Sequence, residues 1–121
     1  QSLVVAQAAV TALVSAFGDS MLKIRLRDLP TGYEAYLVTQ LSNEEAKKET
    51  CRIEDTHPLG RLFDLDVIDA DGVPMSRESV GLSPRKCLVC DNEARYCMRN
   101  RTHTMAELTA KIDEMIESYV R

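Results

Sequence analysis

Residues 21–41 read MLKIRLRDLPTGYEAYLVTQL. Met21, Leu22, Ile24 and Leu26 partly alternate with Lys23, Arg25 and Arg27, a period-two pattern that favours an extended strand. Pro30-Thr31-Gly32 is a turn. Tyr33–Leu41, with its Tyr and Val residues, reads as a second strand. These two runs decide the fold class because helical patterns flank them. Upstream, Leu3, Val10, Leu13, Val14 and Phe17 recur at helical spacing with Ala between them, and Gly18 closes that helix. Downstream, Ser42 with Glu45 three residues on forms a capping box. It opens a helix running to about Arg52, after which Pro58 and Gly60 break the chain. The expected class is α/β (α+β), a mixed sheet with flanking helices.

Further along, Leu62–Ile68 reads as a strand through Leu62, Phe63, Leu65, Val67 and Ile68. Asp71-Gly72 is a hairpin turn, with Val73–Met75 returning as a short strand. An irregular stretch follows, marked by Gly81 and Pro84. The last element is a helix over 104–120. Thr104 caps it and Glu107 completes a second box. Met105, Leu108, Ile112, Met115, Ile116 and Tyr119 form an apolar stripe that suits core packing. There are no internal repeats and no low-complexity segment.

A chain of 121 residues suits one domain, residues 1–121. Hydrophobic residues at 45% and charged residues at 28% argue against a wholly disordered chain. No run is expected to approach the roughly 18 apolar residues of a spanning helix, and no basic leader opens the chain. The first residue is Gln rather than Met, so part of a longer protein is expected to be missing. Aromatic content of 5% without Trp makes a β-sandwich a poor guess.

The net charge of −4 is uneven. Residues 85–103 hold Arg85, Lys86, Arg95, Arg99 and Arg101 against Asp91 and Glu93, a local +3 set against −7 elsewhere. Such a patch on an acidic chain suggests one anionic ligand site, or simply a solvated basic loop. Without a secretory signal, the four cysteines are expected to be reduced thiols of a cytoplasmic protein.

Two constellations carry chemistry. In Asp64-Leu65-Asp66, alternation puts both carboxylates on one face and Phe63, Leu65 and Val67 on the other. Paired carboxylates repel unless a cation lies between them. A hard ion such as Mg²⁺ takes such oxygens and completes its shell with water and phosphate, the arrangement used in metal-assisted phosphoryl transfer. The alternative is a solvent-facing strand with two ordinary acids. His57-Pro58-Leu59-Gly60-Arg61 leads into this stretch. Gly60 allows backbone to approach a phosphate and Arg61 can fork onto one. His57 is either a general base or ligand, or merely exposed.

The second constellation is Cys87-x2-Cys90-x6-Cys97-x5-His103, a Cys₃His set of the kind that holds structural Zn²⁺. The alternatives are buried free thiols or a redox pair. Cys51 stands apart and reads as a small core residue.

The stretch His57-Pro-Leu-Gly-Arg-Leu-Phe-Asp-Leu-Asp-Val67 resembles the signature of the citrate lyase holo-acyl-carrier-protein synthase family, also called apo-citrate lyase phosphoribosyl-dephospho-CoA transferase. The likeness continues through Ser76-Arg77, Leu82-Ser83-Pro84-Arg85-Lys86-Cys87-Leu88-Val89-Cys90, then Ala94, Cys97, Arg99 and Thr102-His103. It implies transfer of a phosphoribosyl-dephospho-CoA group from triphosphoribosyl-dephospho-CoA to a serine of the citrate lyase acyl carrier subunit, with release of pyrophosphate. It also implies a nucleotidyltransferase-like fold and a further N-terminal segment of some tens of residues, expected to lie outside this sequence. On this reading Asp64 and Asp66 bind Mg²⁺, with His57 the candidate base. Gly60, Arg61, Arg85 and Arg99 hold substrate phosphate, and neither nucleic acid nor membrane is a partner. The rival reading is a zinc-stabilised module that uses the basic 85–103 stretch to bind RNA or an acidic protein.

Overall fold

A computed structural model describes residues 2–121. The chain divides into two compact units, Gln1–Met75 and Ser76–Arg121.

The first unit opens with helix α1 (Ser2–Phe17), followed by a 3₁₀ turn, strands β1 (Met21–Leu29) and β2 (Gly32–Thr39), and helix α2 (Asn43–Thr56). The strands pair antiparallel, with Ile24 opposite Leu37, Leu26 opposite Ala35 and Leu29 opposite Gly32. Gly32 takes φ +133°, which only glycine adopts without strain. The expected mixed sheet is therefore an antiparallel pair, and the class is α+β.

Helix α1 packs on β2 and α2, burying Ala8 and Phe17. Leu3 and Val14 of its expected stripe are exposed. The reading that no run reaches spanning length needs correction: Leu3–Ser20 is long and apolar enough by length and composition alone.

Ser42 caps α2 as expected. Its Oγ accepts from the Glu45 N–H at 3.2 Å and donates to the Glu45 carboxylate at 2.9 Å. The helix continues past Arg52 to Thr56, and Pro58 follows. Ala46, Cys51, Ile53, Leu59 and Phe63 make up most of the remaining core of this unit.

The strand expected at Leu62–Ile68 does not form. A 3₁₀ turn covers Gly60–Leu62, and an extended, irregular segment follows. A strand needs a partner, and the return segment supplies little. It pairs only at the bridge between Ile68 and Pro74, and Pro74 has no N–H with which to extend a ladder. The reversal itself is present. Asp69 Oδ1 accepts from the Asp71 and Val73 N–H groups at 2.9 and 3.0 Å, and Gly72 takes φ +79°. Met75 N–H then reaches the Val67 carbonyl at 2.9 Å.

In the second unit, a 3₁₀ turn at Glu78–Val80 ends on Gly81 at φ +78°. A bridge between Lys86 and Glu93 encloses the Cys87–Cys90 turn. Helix α3 (Ala94–Asn100) lies where irregular chain was expected, and helix α4 (Met105–Val120) closes the chain. The Thr104–Glu107 capping box is present in both directions. Ile116 is buried, while Met105 and Tyr119 at the ends of the stripe are exposed.

Candidate functional site

In the first unit the end of α2 and the segment after it carry the candidate residues. Gly60 is buried against α2. A Cβ there would meet the Glu54 carbonyl oxygen at 2.2 Å and the Ile53 carbonyl oxygen at 2.7 Å. Its N–H donates to the His57 carbonyl at 2.9 Å. Packing within this turn accounts for the glycine.

His57 ends α2. Its Nδ1 accepts from the Leu59 N–H at 2.9 Å, and its ring packs against Phe63 with centroids 4.9 Å apart. Burial holds its pKa below the ordinary histidine value. In the neutral ring the hydrogen is then on Nε2, so His57 acts first as a turn-forming residue. It also lines a groove of about 380 Å³ with Ser15, Glu49, Arg52 and Thr56.

Beyond this turn the alternation read from the sequence survives without a strand. Phe63 is buried and Leu65 and Val67 are half-buried, while Asp64 and Asp66 are exposed. The segment is fastened by Leu65 N–H, which donates to the Glu54 carboxylate at 3.1 Å. Among the described residues, Asp64 and Asp66 have no hydrogen-bonded or ion-paired partner, so their oxygens are open to a hard cation. Arg61 is exposed on the 3₁₀ turn beside them in sequence.

Sequence reasoning missed the polar side of α2. Lys47, Thr50 and Glu54 are all buried there with Cys51. Their i, i+3, i+4, i+7 spacing was the available signal. It was overlooked because charged residues are ordinarily assigned to solvent.

In the second unit Cys87, Cys90, Cys97 and His103 converge, with one ligand atom from each lying within 4.8 Å of the others. Cys90 Sγ is 3.5 Å from Cys97 Sγ and 3.4 Å from His103 Nε2. A tetrahedron of Zn–S bonds has edges of about 3.8 Å, so this spacing suits a metal ion. Three local features bring the four together. The Cys87 N–H donates to the Asn92 carbonyl at 2.8 Å, closing the Cys-x2-Cys turn. Helix α3 carries Cys97. Arg101 adopts the left-handed conformation, φ +48°, and Thr102 N–H returns to the Cys97 carbonyl at 3.2 Å, turning His103 back toward Cys90.

The electrostatics of the three thiols differ. Burial pushes the Cys87 thiol up, but the Val89 and Cys90 N–H groups and the neighbouring thiols pull it down further, to about 7. Burial, reinforced by Cys90 and Cys87, pushes Cys97 up to about 11. The Asn92 N–H and then His103 lower Cys90. One acidic thiol near the others is the start of a thiolate ligand set.

Of the expected phosphate ligands in this unit, Arg99 lines an open groove of about 330 Å³ with Asn92, Glu93, Arg95 and Tyr96. Arg95 is pinned by Glu93 at 2.8 Å and Glu78 at 3.2 Å. Arg85 receives the Ala94 N–H on its carbonyl at 2.8 Å.

A family model described as apo-citrate lyase phosphoribosyl-dephospho-CoA transferase matches residues 2–119. A probable transferase of that name from Vibrio cholerae O395 is 49% identical over 90 residues, covering 74% of this chain and 51% of the relative. One from Streptococcus pyogenes MGAS8232 is 37% identical over 114 residues, covering 91% of this chain and 59% of the relative. Protein CitXG of Haemophilus influenzae is 37% identical over 110 residues, covering 91% of this chain and 24% of that protein. The chain spans about half the length of the first two relatives.

Proposed function

Because the chain belongs to the apo-citrate lyase phosphoribosyl-dephospho-CoA transferase family, we propose that it moves phosphoribosyl-dephospho-CoA from its triphosphoribosyl form onto a serine of the citrate lyase acyl carrier protein. The serine oxygen forms a bond to the phosphorus next to the ribose, the bond from that phosphorus to pyrophosphate breaks, and the serine proton passes to solvent or a base. The protein supplies no nucleophile. Its work is to position two substrates and to neutralise the departing pyrophosphate.

The observation that carries this reading to residues is the exposed, unpartnered pair Asp64 and Asp66, held on one side of the extended segment (Leu65 N–H fastened to Glu54). These two carboxylates would hold Mg²⁺, which would supply neutralisation of charge on the departing pyrophosphate. Arg61, presented by the turn that Gly60 makes possible, pairs with a phosphate, as do Arg85 and Arg99. His57 shapes this turn through Nδ1, which accepts the Leu59 N–H, and it is the candidate for any base that takes the serine proton. The Cys₃His set takes Zn²⁺. The four cysteines are free thiols, in keeping with a cytoplasmic protein. With the metal set absorbed into the transferase, no observation favours the separate RNA- or protein-binding module.

Asp64→Asn and Asp66→Asn test this. Each is expected to abolish the mass shift of the carrier protein, to remove the heat of Mg²⁺ titration, and to leave thermal melting unchanged or slightly raised. Full transfer in both variants would sink the metal assignment.

A further inference from the structure

The second unit is short, and its buried apolar side chains among the described residues are Cys87, Cys97 and Ile116. Two of those three are candidate metal ligands. So small an apolar core does not stabilise an ordered chain by itself. Small units of this kind order themselves around a bound metal, whose binding free energy then becomes folding free energy.

A fifth residue bears on the same point. His103 turns Nε2 toward Cys90, at 3.4 Å, and its other nitrogen, Nδ1, lies 3.7 Å from Glu107 Oε2. Ligating histidines characteristically present their second N–H to a carboxylate, which fixes the ring and raises its basicity. The other oxygen of the same carboxylate, Oε1, accepts the Thr104 backbone N–H at 3.0 Å. One side chain therefore joins the first turn of α4 to the metal ligand that precedes it.

We propose that the ion at Cys87, Cys90, Cys97 and His103 is the folding nucleus of the 85–121 segment, and that Glu107 is a positioning residue tying ion binding to the start of α4. The proposal rests on the reading of the Cys₃His set as a Zn²⁺ site. It adds what the ion does and which residue outside the ligand set transmits it. The ion takes no part in the transfer chemistry: it holds Arg85 and Arg99 in place by ordering the turn and helix that carry them.

The test is hydrogen exchange of the full chain by mass spectrometry, with and without a strong chelator, beside metal analysis of the protein as purified. The expected result is about one Zn²⁺ per chain. Chelation should remove protection from peptides of 85–121 while those of α2 keep theirs, and added Zn²⁺ should restore it. A zinc-loaded protein whose 85–121 peptides stay protected after chelation overturns the folding role and leaves the zinc reading standing. A zinc-free protein already protected over 85–121 overturns both.

Two variants isolate Glu107. Gln also serves in a capping box, so Glu107→Gln keeps the cap and removes only the charge. It should weaken Zn²⁺ affinity at least about 10-fold in competition with a chromophoric chelator, with α4 equally protected in the zinc-loaded state. Thr104→Ala removes the hydroxyl cap but keeps the backbone N–H that holds Oε1. It should reduce α4 protection and change Zn²⁺ affinity far less. Unchanged affinity in Glu107→Gln overturns the positioning role.

Discussion

Gly60 shows how much one hydrogen atom decides. The turn after α2 packs so close to the helix that a methyl group would overlap two backbone carbonyls, and backbone cannot swing aside as a flexible side chain does. Gly60→Ala is therefore expected to cost at least about 2 kcal/mol, read as a fall in denaturant midpoint. Cys51→Ala, in the same core, is a milder change for comparison. His57 makes a second residue-scale prediction. Its pKa is lowered by burial, so the folded chain favours the neutral ring. That contribution is fully present above the ordinary value of about 6.5 and is lost as the pH falls through it toward the lowered folded value. The melting temperature should fall between pH 7 and pH 5. His57→Asn keeps an acceptor for the Leu59 N–H and cannot be protonated, so its fall over the same range should be smaller. An equal fall in both proteins would mean that His57 is not the group responsible.

Elements form where local chemistry and a partner agree. Both N-caps were readable because a hydroxyl accepts the N–H three residues on with no help from elsewhere; at Thr104 the Glu107 carboxylate completes the box, whereas at Ser42 the Glu45 carboxylate takes the hydroxyl hydrogen instead. Ser42→Ala should accordingly lower stability by about 1 kcal/mol, measured by chemical denaturation. Helix α3 was not readable. It has no side-chain cap at Glu93 and is too short for a periodic pattern. Its ending is unusual, because Arg101 occupies a left-handed position that favours glycine. Arg101→Gly is expected to stabilise the zinc-loaded protein by up to about 1 kcal/mol. A clear destabilisation would show that the Arg101 side chain contributes more than its backbone costs.

At the scale of the whole molecule, charge is the organising quantity. The chain is net negative, yet its basic stretch lies within the Ser76–Arg121 unit. An acidic carrier protein should approach that stretch, and complementarity of this kind acts mainly on the rate of encounter. The cations there are not equivalent. Arg95 is neutralised by Glu78 and Glu93, whereas Arg99 lines an open groove. Arg99→Glu should therefore slow carrier modification several-fold at low salt, more than Arg95→Ala does, and the gap should close at high salt. Donor binding measured without carrier separates docking from substrate contact. Lost donor affinity in Arg99→Glu would support the phosphate contact proposed for Arg99, whereas unchanged donor affinity with slowed modification would leave it a docking role alone.

Whatever depends on near neighbours was legible in the order of residues. That order specified α1, the β1–β2 turn, the start of α2, the whole of α4, the alternation of Asp64 and Asp66, and the grouping of Cys87, Cys90, Cys97 and His103. Each of these rests on spacing within about ten residues, where chain connectivity fixes the geometry. Packing between distant parts of the chain settled the rest. Leu62–Ile68 has strand composition, but Pro74 and the Asp69 turn deny it a ladder. Gly60 looked like a phosphate loop, and its reason is the carbonyl oxygens of α2. Lys47 and Glu54 drew no reading from the sequence, and both are buried. Glu54 is there because its carboxylate, eleven residues away in sequence, receives the N–H of the residue between the two aspartates. Such contacts join positions whose separation the chain leaves open, and packing alone selects them.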